Sequence, residues 1–331
     1  MATQHNAALP EGLALGGYRI VKKIAVGGFS LVYHATDENG QDVAIKEYLP
    51  VALASRAVGQ LAPVVSGEHT ELFRLGMKFF FDEGRALAAI SHPNVVRVLN
   101  FFRAHDTVYM VMGYEQGRSL QEHIEHRKQK GVKPLVSERS IRIAFAQVMD
   151  ALREVHTHKL LHLDLKPANI YLRRDGTPIL LDFGAARQTL HSDLSQLHPM
   201  YTPGFAAPEL HAKRELGPWT DVYSIGASIF CCMLGLPPQS AIERKRDDHM
   251  ETYFRQLERL YSKELISLVR WSLALDPLKR PQSVYALQKM MRPTDQQPQP
   301  GAEAHTESPS SPSKDATNPS SLLSRFRRAV R

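Results

Sequence analysis

The segment His162-Leu163-Asp164-Leu165-Lys166-Pro167-Ala168-Asn169 sets a lysine two residues after an aspartate and an asparagine five residues after it. Leu181-Asp182-Phe183-Gly184 and then Ala207-Pro208-Glu209 follow. Phosphoryl transfer asks for an oriented hydroxyl, neutralised charge and a held metal. Asp164 is a candidate to orient or deprotonate the hydroxyl, and Lys166 to neutralise the moving phosphoryl group. Asn169 and Asp182 are candidates to hold a divalent cation. One such motif arises by chance easily. Three of them in this order, in a chain of 331 residues, do not.

In these motifs the chain resembles the eukaryotic-like (Hanks-type) serine/threonine protein kinases, over about residues 18–292. The resemblance implies an α+β, bilobal protein-kinase fold: a β-rich N-lobe with one main helix (18–112), a hinge (113–117) and an α-rich C-lobe (118–292). It implies catalytic roles for Asp164, Lys166 and Asn169, and magnesium held by Asn169 and Asp182, with manganese able to substitute. ATP is the implied phosphoryl donor and protein hydroxyls the acceptors.

Lys46 ends the apolar run Val43-Ala44-Ile45, where an unpaired charge is costly. Glu83 shares a helical face with Phe80 and Leu87, so it needs a partner too. It also stands nine residues before His92-Pro93-Asn94, the place of the helix glutamate in the family. A Lys46–Glu83 pair is therefore expected, with Lys46 on the α- and β-phosphates. The glycine-rich loop falls on Ala25-Val26-Gly27-Gly28-Phe29-Ser30-Leu31-Val32 and keeps only the second glycine of the family pattern. Gly27-Gly28 can still let backbone N–H groups approach phosphates. The nucleotide site implied by the resemblance comprises Ile24, Ala25, Val26, Gly27, Gly28, Phe29, Ser30, Val32, Ala44, Lys46, Glu83, Met112 (gatekeeper), Tyr114 (hinge) and Tyr171, which replaces the usual leucine under the adenine.

Further positions match. Asp221 falls where the family braces its catalytic loop, Arg280 where an arginine pairs with Glu209, and Thr202 at the threonine near the catalytic aspartate. Lys166 with Thr202 resembles the Ser/Thr branch; Ala185 leaves Ser versus Thr preference open. Ser119 and Ala168 stand where cyclic-AMP-dependent kinase carries acids, so no preference for upstream arginine is implied. Leu163 occupies the place of a common arginine that pairs with an activation-loop phosphate. A phosphate on Thr189, Ser192 or Ser195 would lack that partner, although Arg187 could take its place.

The long segment 47–77, with Thr202-Pro203-Gly204-Phe205 and with Pro237-Pro238 ahead of Arg244, resembles the bacterial members. Some of those lie in type VI secretion loci beside a phosphatase, which suggests a cognate Ser/Thr phosphatase as a partner. Two rival readings carry less of the sequence. A scaffold without catalysis would explain the depleted glycine loop but not the full set Lys46, Glu83, Asp164, Asn169 and Asp182. A small-molecule kinase of the aminoglycoside phosphotransferase type would lack Ala207-Pro208-Glu209.

Elements able to position these residues are legible in the periodicity. Tyr18-Arg19-Ile20-Val21, Val43-Ala44-Ile45-Lys46 and Val108-Tyr109-Met110-Val111-Met112 read as strands, and 73–90 as a helix. Behind a Ser137 N-cap, Ile141, Ala144, Phe145, Val148, Met149, Leu152 and Val155 recur at three- and four-residue spacing, an amphipathic helix leading to the catalytic loop. Residues 1–17 read as a flexible leader. Residues 293–331 read as a disordered Pro/Ser-rich tail. Its basic, apolar-interleaved end, Leu322 to Arg331, could make weak membrane-surface contact.

Composition agrees with a folded soluble chain: 43% apolar, 23% charged, net charge +7. No basic patch interleaves with aromatics, so nucleic acid is not an expected partner. The adjacent Cys231 and Cys232 sit in an apolar run and read as buried thiols of a reducing compartment. The run 224–237 is too short to span a bilayer and Met1 to Gly17 is no signal peptide, so a cytoplasmic location is expected.

Overall fold

The computed structural model describes residues 6–183, 202–212 and 214–291. The hydroxyls Thr189, Ser192 and Ser195, the residues Ala185 and Arg187, and the tail from 292 lie outside the described residues.

The N-terminal lobe is a six-stranded antiparallel sheet plus one helix. Its strands are β1 (Ala14–Leu15), β2 (Tyr18–Val26), β3 (Ser30–Thr36), β4 (Asp42–Tyr48), β7 (Val98–Ala104) and β8 (Thr107–Gly113), in the order β1-β2-β3-β4-β8-β7. The helix α1 (Thr70–Ala88) takes in most of the expected 73–90, starting one turn earlier and ending two residues sooner. It packs close because Gly76 and Gly84 carry no Cβ: one at Gly76 would overlap the Tyr48 ring, one at Gly84 the Phe101 ring.

Between β4 and α1 the chain forms a small hairpin, β5 (Ala54–Ser55) and β6 (Val64–Val65). This segment delivers Arg56 to the outer side of the sheet, where its side chain and that of Glu47 are both 0% exposed. The guanidinium donates to Glu47 Oε1 (2.5 Å) and Oε2 (2.8 Å), to the Tyr33 hydroxyl (2.9 Å), and to the carbonyls of Ala7 (2.8 Å) and Leu61 (3.2 Å). Tyr33 and Tyr109 donate their hydroxyls to Glu47 at 2.7 and 2.8 Å. Burial pushes both phenols up, and the Glu47 charge adds to it.

Residues 1–17 were expected to form a flexible leader. The described part departs from this. Asn6, Leu9 and Leu15 are buried, Asn6 exchanges hydrogen bonds with Ala54 and Arg56, and Leu9 N donates to the Tyr33 hydroxyl. The physical reason is the polar cluster beneath: the strap from 6 to 15 supplies the backbone groups that Arg56 and Tyr33 need once buried.

The C-terminal lobe is helical: α2 (Leu120–Gln129), α3 (Glu138–Thr157), α4 (Pro208–Ala212), α5 (Pro218–Leu234), α6 (Ala241–Arg244), α7 (Met250–Leu257), α8 (Lys263–Ser272) and α9 (Val284–Met291). A small sheet of β9 (Gly117–Ser119), β10 (Ile170–Arg173) and β11 (Pro178–Leu180) joins it to the hinge. Ser137 caps α3 as expected, its Oγ accepting from Ser140 N, and the stripe Ile141, Phe145, Val148, Met149, Leu152, Val155 is buried. The apolar run around Cys231 and Cys232 is α5, buried along nearly its whole length. Among the described residues no helix is long and apolar enough to cross a membrane.

Candidate active site

A cleft of about 470 Å³ separates the two lobes. Ile24, Ala25, Val32 and Ala44 from β2–β4 form its roof, Met112 and Tyr114 its hinge side, Tyr171 and Leu181 its floor. Lys46, Glu83, Asn169 and Asp182 converge at its inner end. Tyr171 reaches the floor because β10 pairs with β9 and β11, opposite Ser119 and Ile179. Burial raises its phenol. The Tyr114 ring is stacked on His34 at 4.3 Å.

Val26, Gly27, Gly28, Phe29 and Ser30, expected at the nucleotide, do not line the cleft. The turn between β2 and β3 is instead tied to the segment after β4: Gly28 and Phe29 carbonyls accept from Val51 and Leu49 N–H at 3.0 and 2.9 Å. Gly27 N donates to the Ser30 carbonyl at 2.8 Å.

Lys46 and Glu83 are both buried, as their apolar neighbours predicted. Lys46 Nζ lies 3.9 Å from Glu83 and 2.6 Å from Asp182 Oδ1, so Asp182 is the nearer of the two carboxylates. The charge that strand burial demands for Lys46 is thus supplied by two carboxylates. The nearer one sits on a backbone turned to the left-handed region (φ 52°).

The Asp164 carboxylate is held on three sides. Lys166 Nζ donates to Oδ2 at 2.7 Å, Thr202 Oγ1 to Oδ1 at 3.1 Å and Asn169 Nδ2 to Oδ2 at 3.2 Å. Lys166 also donates to Thr202 at 2.7 Å, and Asn169 Nδ2 to the Asp164 carbonyl at 2.8 Å. Spacing alone placed Lys166 and Asn169 beside Asp164; Thr202, far along the chain, closes the set.

The loop is fixed from below. Asp221, 0% exposed at the start of α5, accepts from the backbone N–H of His162 (2.9 Å) and Leu163 (2.8 Å). Leu163 thereby stands at φ 61°, a conformation that costs an L-residue about 1–2 kcal/mol. His156 Nε2 lies 2.7 Å from Asp221, a contact whose only sequence sign is the end of α3 running into the loop. Burial alone would raise the Asp221 carboxyl; the His156 hydrogen bond and charge, with His162, hold it below the ordinary range.

Arg280 and Glu209 form the expected pair, bidentate at 2.7 and 2.8 Å and buried. A further clamp was not foreseen. Arg173 donates twice to the hinge residue Glu115 at 2.8 Å and once to the Pro93 carbonyl at 2.9 Å. Glu115 lies in the expected hinge 113–117, and nothing local in the sequence marks Arg173 as its partner. Among the described residues no cluster of three or more His, Cys, Asp or Glu could hold a metal by itself.

Comparison with known proteins follows the same lines. Residues 18–291 match the protein kinase domain. The probable serine/threonine-protein kinase PknB of Lactococcus lactis is 28% identical over 222 residues, 67% of this chain and 32% of that protein. The hormonally up-regulated neu tumor-associated kinase homolog of Xenopus tropicalis is 27% identical over 282 residues, 82% of this chain and 37% of that one. The chain thus spans about a third of the length of these curated relatives. Among solved structures, the apo form of PpkA-294 superposes with a TM-score of 0.75 at 31% identity, covering 86% of this chain and 99% of its own. The Mycobacterium tuberculosis PknI kinase domain shares the fold, at a TM-score of 0.62 and 20% identity over 86% of this chain and 98% of that one. A two-lobed chain with this cleft, matched almost from β2 to the end of α9, belongs to the protein kinase domain family.

Proposed function

We propose that the chain is a serine/threonine protein kinase that transfers the γ-phosphoryl group of ATP to protein Ser/Thr hydroxyls, its own included, in bacterial signalling. The observation that carries this reading is the Asp164–Lys166–Thr202–Asn169 network beside the cleft. A carboxylate locked by three donors is oriented before any hydroxyl arrives, so reaction needs little rearrangement there. Lys166 stands beside it, able to balance the charge of a transferring phosphoryl group. Lys46, ringed by Glu83 and Asp182, is placed to clamp the phosphates, while the hinge and Tyr171 receive the base.

The Asp182 carboxylate and the Asn169 amide oxygen form a hard-oxygen donor set that suits magnesium or manganese. Such a cation, when bound, neutralises phosphate charge. The opposing enzyme would be a Ser/Thr phosphatase, the setting a reducing cytoplasm in keeping with two free buried thiols, and the basic C-terminal end a weak membrane contact.

Radiolabelled phosphate transfer with the full chain and its Asp164→Asn variant, followed by mapping of the phosphorylated sites, tests the reading. Loss of the acid–base group should cost about 10²–10⁴ in rate. Near-normal turnover of the variant overturns the role of Asp164. A wild type that binds nucleotide but transfers nothing makes the chain a binding module instead.

A further inference from the structure

The β3–β4 ladder does not stop where the strands do. Ser30 pairs with Tyr48 as the last step of its regular register. Leu49 N then donates to the Phe29 carbonyl at 2.9 Å, the next step of the same register. Val51 N donates to the Gly28 carbonyl at 3.0 Å, one residue out of step. The tip of the β2–β3 turn is thus an extension of the sheet, held by two backbone donors of the segment after β4. That segment is itself anchored. Leu49 is 1% exposed, the Tyr48 carbonyl accepts from Thr107 Oγ1 at 2.5 Å, and the Pro50 carbonyl accepts from Leu53 and Ala54 N–H at 3.0 Å.

Orientation follows from the planar peptide. In a trans peptide the N–H points opposite to the C=O. The Gly28 and Phe29 carbonyls are turned to Val51 and Leu49. The Phe29 and Ser30 N–H groups share those two peptide planes, so they are turned the other way along the sheet. Ladder hydrogen bonds run in the plane of a sheet, while side chains leave it at right angles. Val32, Ala44 and Lys46, from β3 and β4, line the cleft, so the cleft lies beneath one face of the sheet. The tip amides therefore point past the cleft rather than into it, in keeping with a lining that does not include residues 26–30.

We propose that Leu49 and Val51 are positioning residues for nucleotide binding: their N–H groups hold the tip of the glycine-rich loop up in the sheet, and the phosphates of ATP recruit that tip only by breaking these ties. The inference rests on the reading of the cleft as a nucleotide site. The ties set a threshold, because a loop that is available for a fraction of the time lowers apparent affinity by that fraction. The loop's own sequence agrees. Ala25 and Ser30 replace two glycines of the family pattern, and glycine is what lets a backbone fold down readily. The tie at Val51 is made by the backbone alone, for the residue is 46% exposed. The Leu53 N–H to Pro50 carbonyl bond makes 50–53 a turn with Val51 at its second position, where proline is favoured.

Val51→Pro removes this one donor at a position that accepts proline. Calorimetric titration of the full chain with ATP and magnesium should give a Kd about three- to tenfold lower for Val51→Pro than for wild type, the scale of one backbone hydrogen bond. Adenosine has no phosphates, and its Kd should be the same for both proteins. Val51→Ala keeps the N–H and should titrate as wild type does. A second measurement needs no variant. Amide hydrogen exchange at Leu49 and Val51 of the wild type should accelerate when ATP saturates the cleft and stay slow with adenosine. The proposal falls if ATP binds Val51→Pro and wild type alike, if it binds the variant more weakly, if adenosine shifts together with ATP, or if the two amides stay protected under ATP. A wild type that binds neither ligand removes the nucleotide reading of the cleft and this inference with it, and the wild-type titration alone tells that failure from the others.

Discussion

Replacing Arg56 with methionine should loosen the N-lobe without touching the C-lobe. Methionine keeps much of the apolar stem but removes every donor. Glu47 then stays buried at 0% exposure with only the Tyr33 and Tyr109 hydroxyls left to it. Breaking a buried ion pair from one side costs about 3–5 kcal/mol, and the two phenols argue for the lower end, about 3 kcal/mol. For a unit the size of the N-lobe, about 100 residues, that is a melting shift of about 12–24 °C. Two lobes need not unfold together, so one global curve is a poor measure. The chain offers a natural separation. Its two tryptophans, Trp219 and Trp271, both lie in the C-lobe, so their fluorescence follows that lobe alone. Amide hydrogen exchange in β3, β4 and β8 follows the other. Exchange there should accelerate in Arg56→Met while the tryptophan transition moves little. Glu47→Gln/Arg56→Met should recover part of the loss, with a coupling of about 0.5–3 kcal/mol between the two sites. Unchanged exchange in the single variant would refute the clamp.

Three further outcomes are expected. Because Asp221 is held below the ordinary carboxyl value in the folded chain, its contribution is full above about pH 4 and fades as pH falls through the folded value; acid unfolding of Asp221→Asn should be less steep than that of wild type, and equal slopes would count against it. Burial pushes the Cys231 thiol up to about 12 and Cys232 well above its usual value, so iodoacetamide at pH 8 should label neither until the chain is denatured; prompt labelling of the native protein would contradict their packing. Leu163 offers no charge to an activation-loop phosphate, so replacing Thr189, Ser192 and Ser195 together with alanine should leave initial rates within about tenfold, or 1.4 kcal/mol of barrier; a larger fall would make that loop a phosphoswitch.

The catalytic loop was legible because its chemistry is local. Asp164, Lys166 and Asn169 sit on one short turn, and their spacing alone dictates that they meet. The helices α1 and α3 were legible for a similar reason, since an apolar stripe of the right period has one way to be buried. What stayed hidden was long-range. Arg56 is one arginine in a segment rich in small residues, and the cluster it enters draws Tyr33, Glu47 and, through Glu47, Tyr109 from three strands. Leu9 and Leu15 are too sparse to betray a packed strap. Distance was hidden as well: residue types call for an anion at Lys46, but only coordinates rank Asp182 above Glu83.

The strap also bears on how the chain is made. Residues 6–15 are made before the groups they satisfy on β3 and in the β5–β6 segment, and before Tyr109, whose hydroxyl completes the Glu47 site beneath them. That segment must therefore wait until roughly 100 further residues have emerged, about 5–20 s at ordinary rates of synthesis. Over that interval Leu9, Leu15 and the carboxylate of Glu47 have no finished site to enter. The nascent N-lobe is thus a natural client for holding chaperones, and slowing synthesis before Thr107 should lengthen its exposure rather than help it fold.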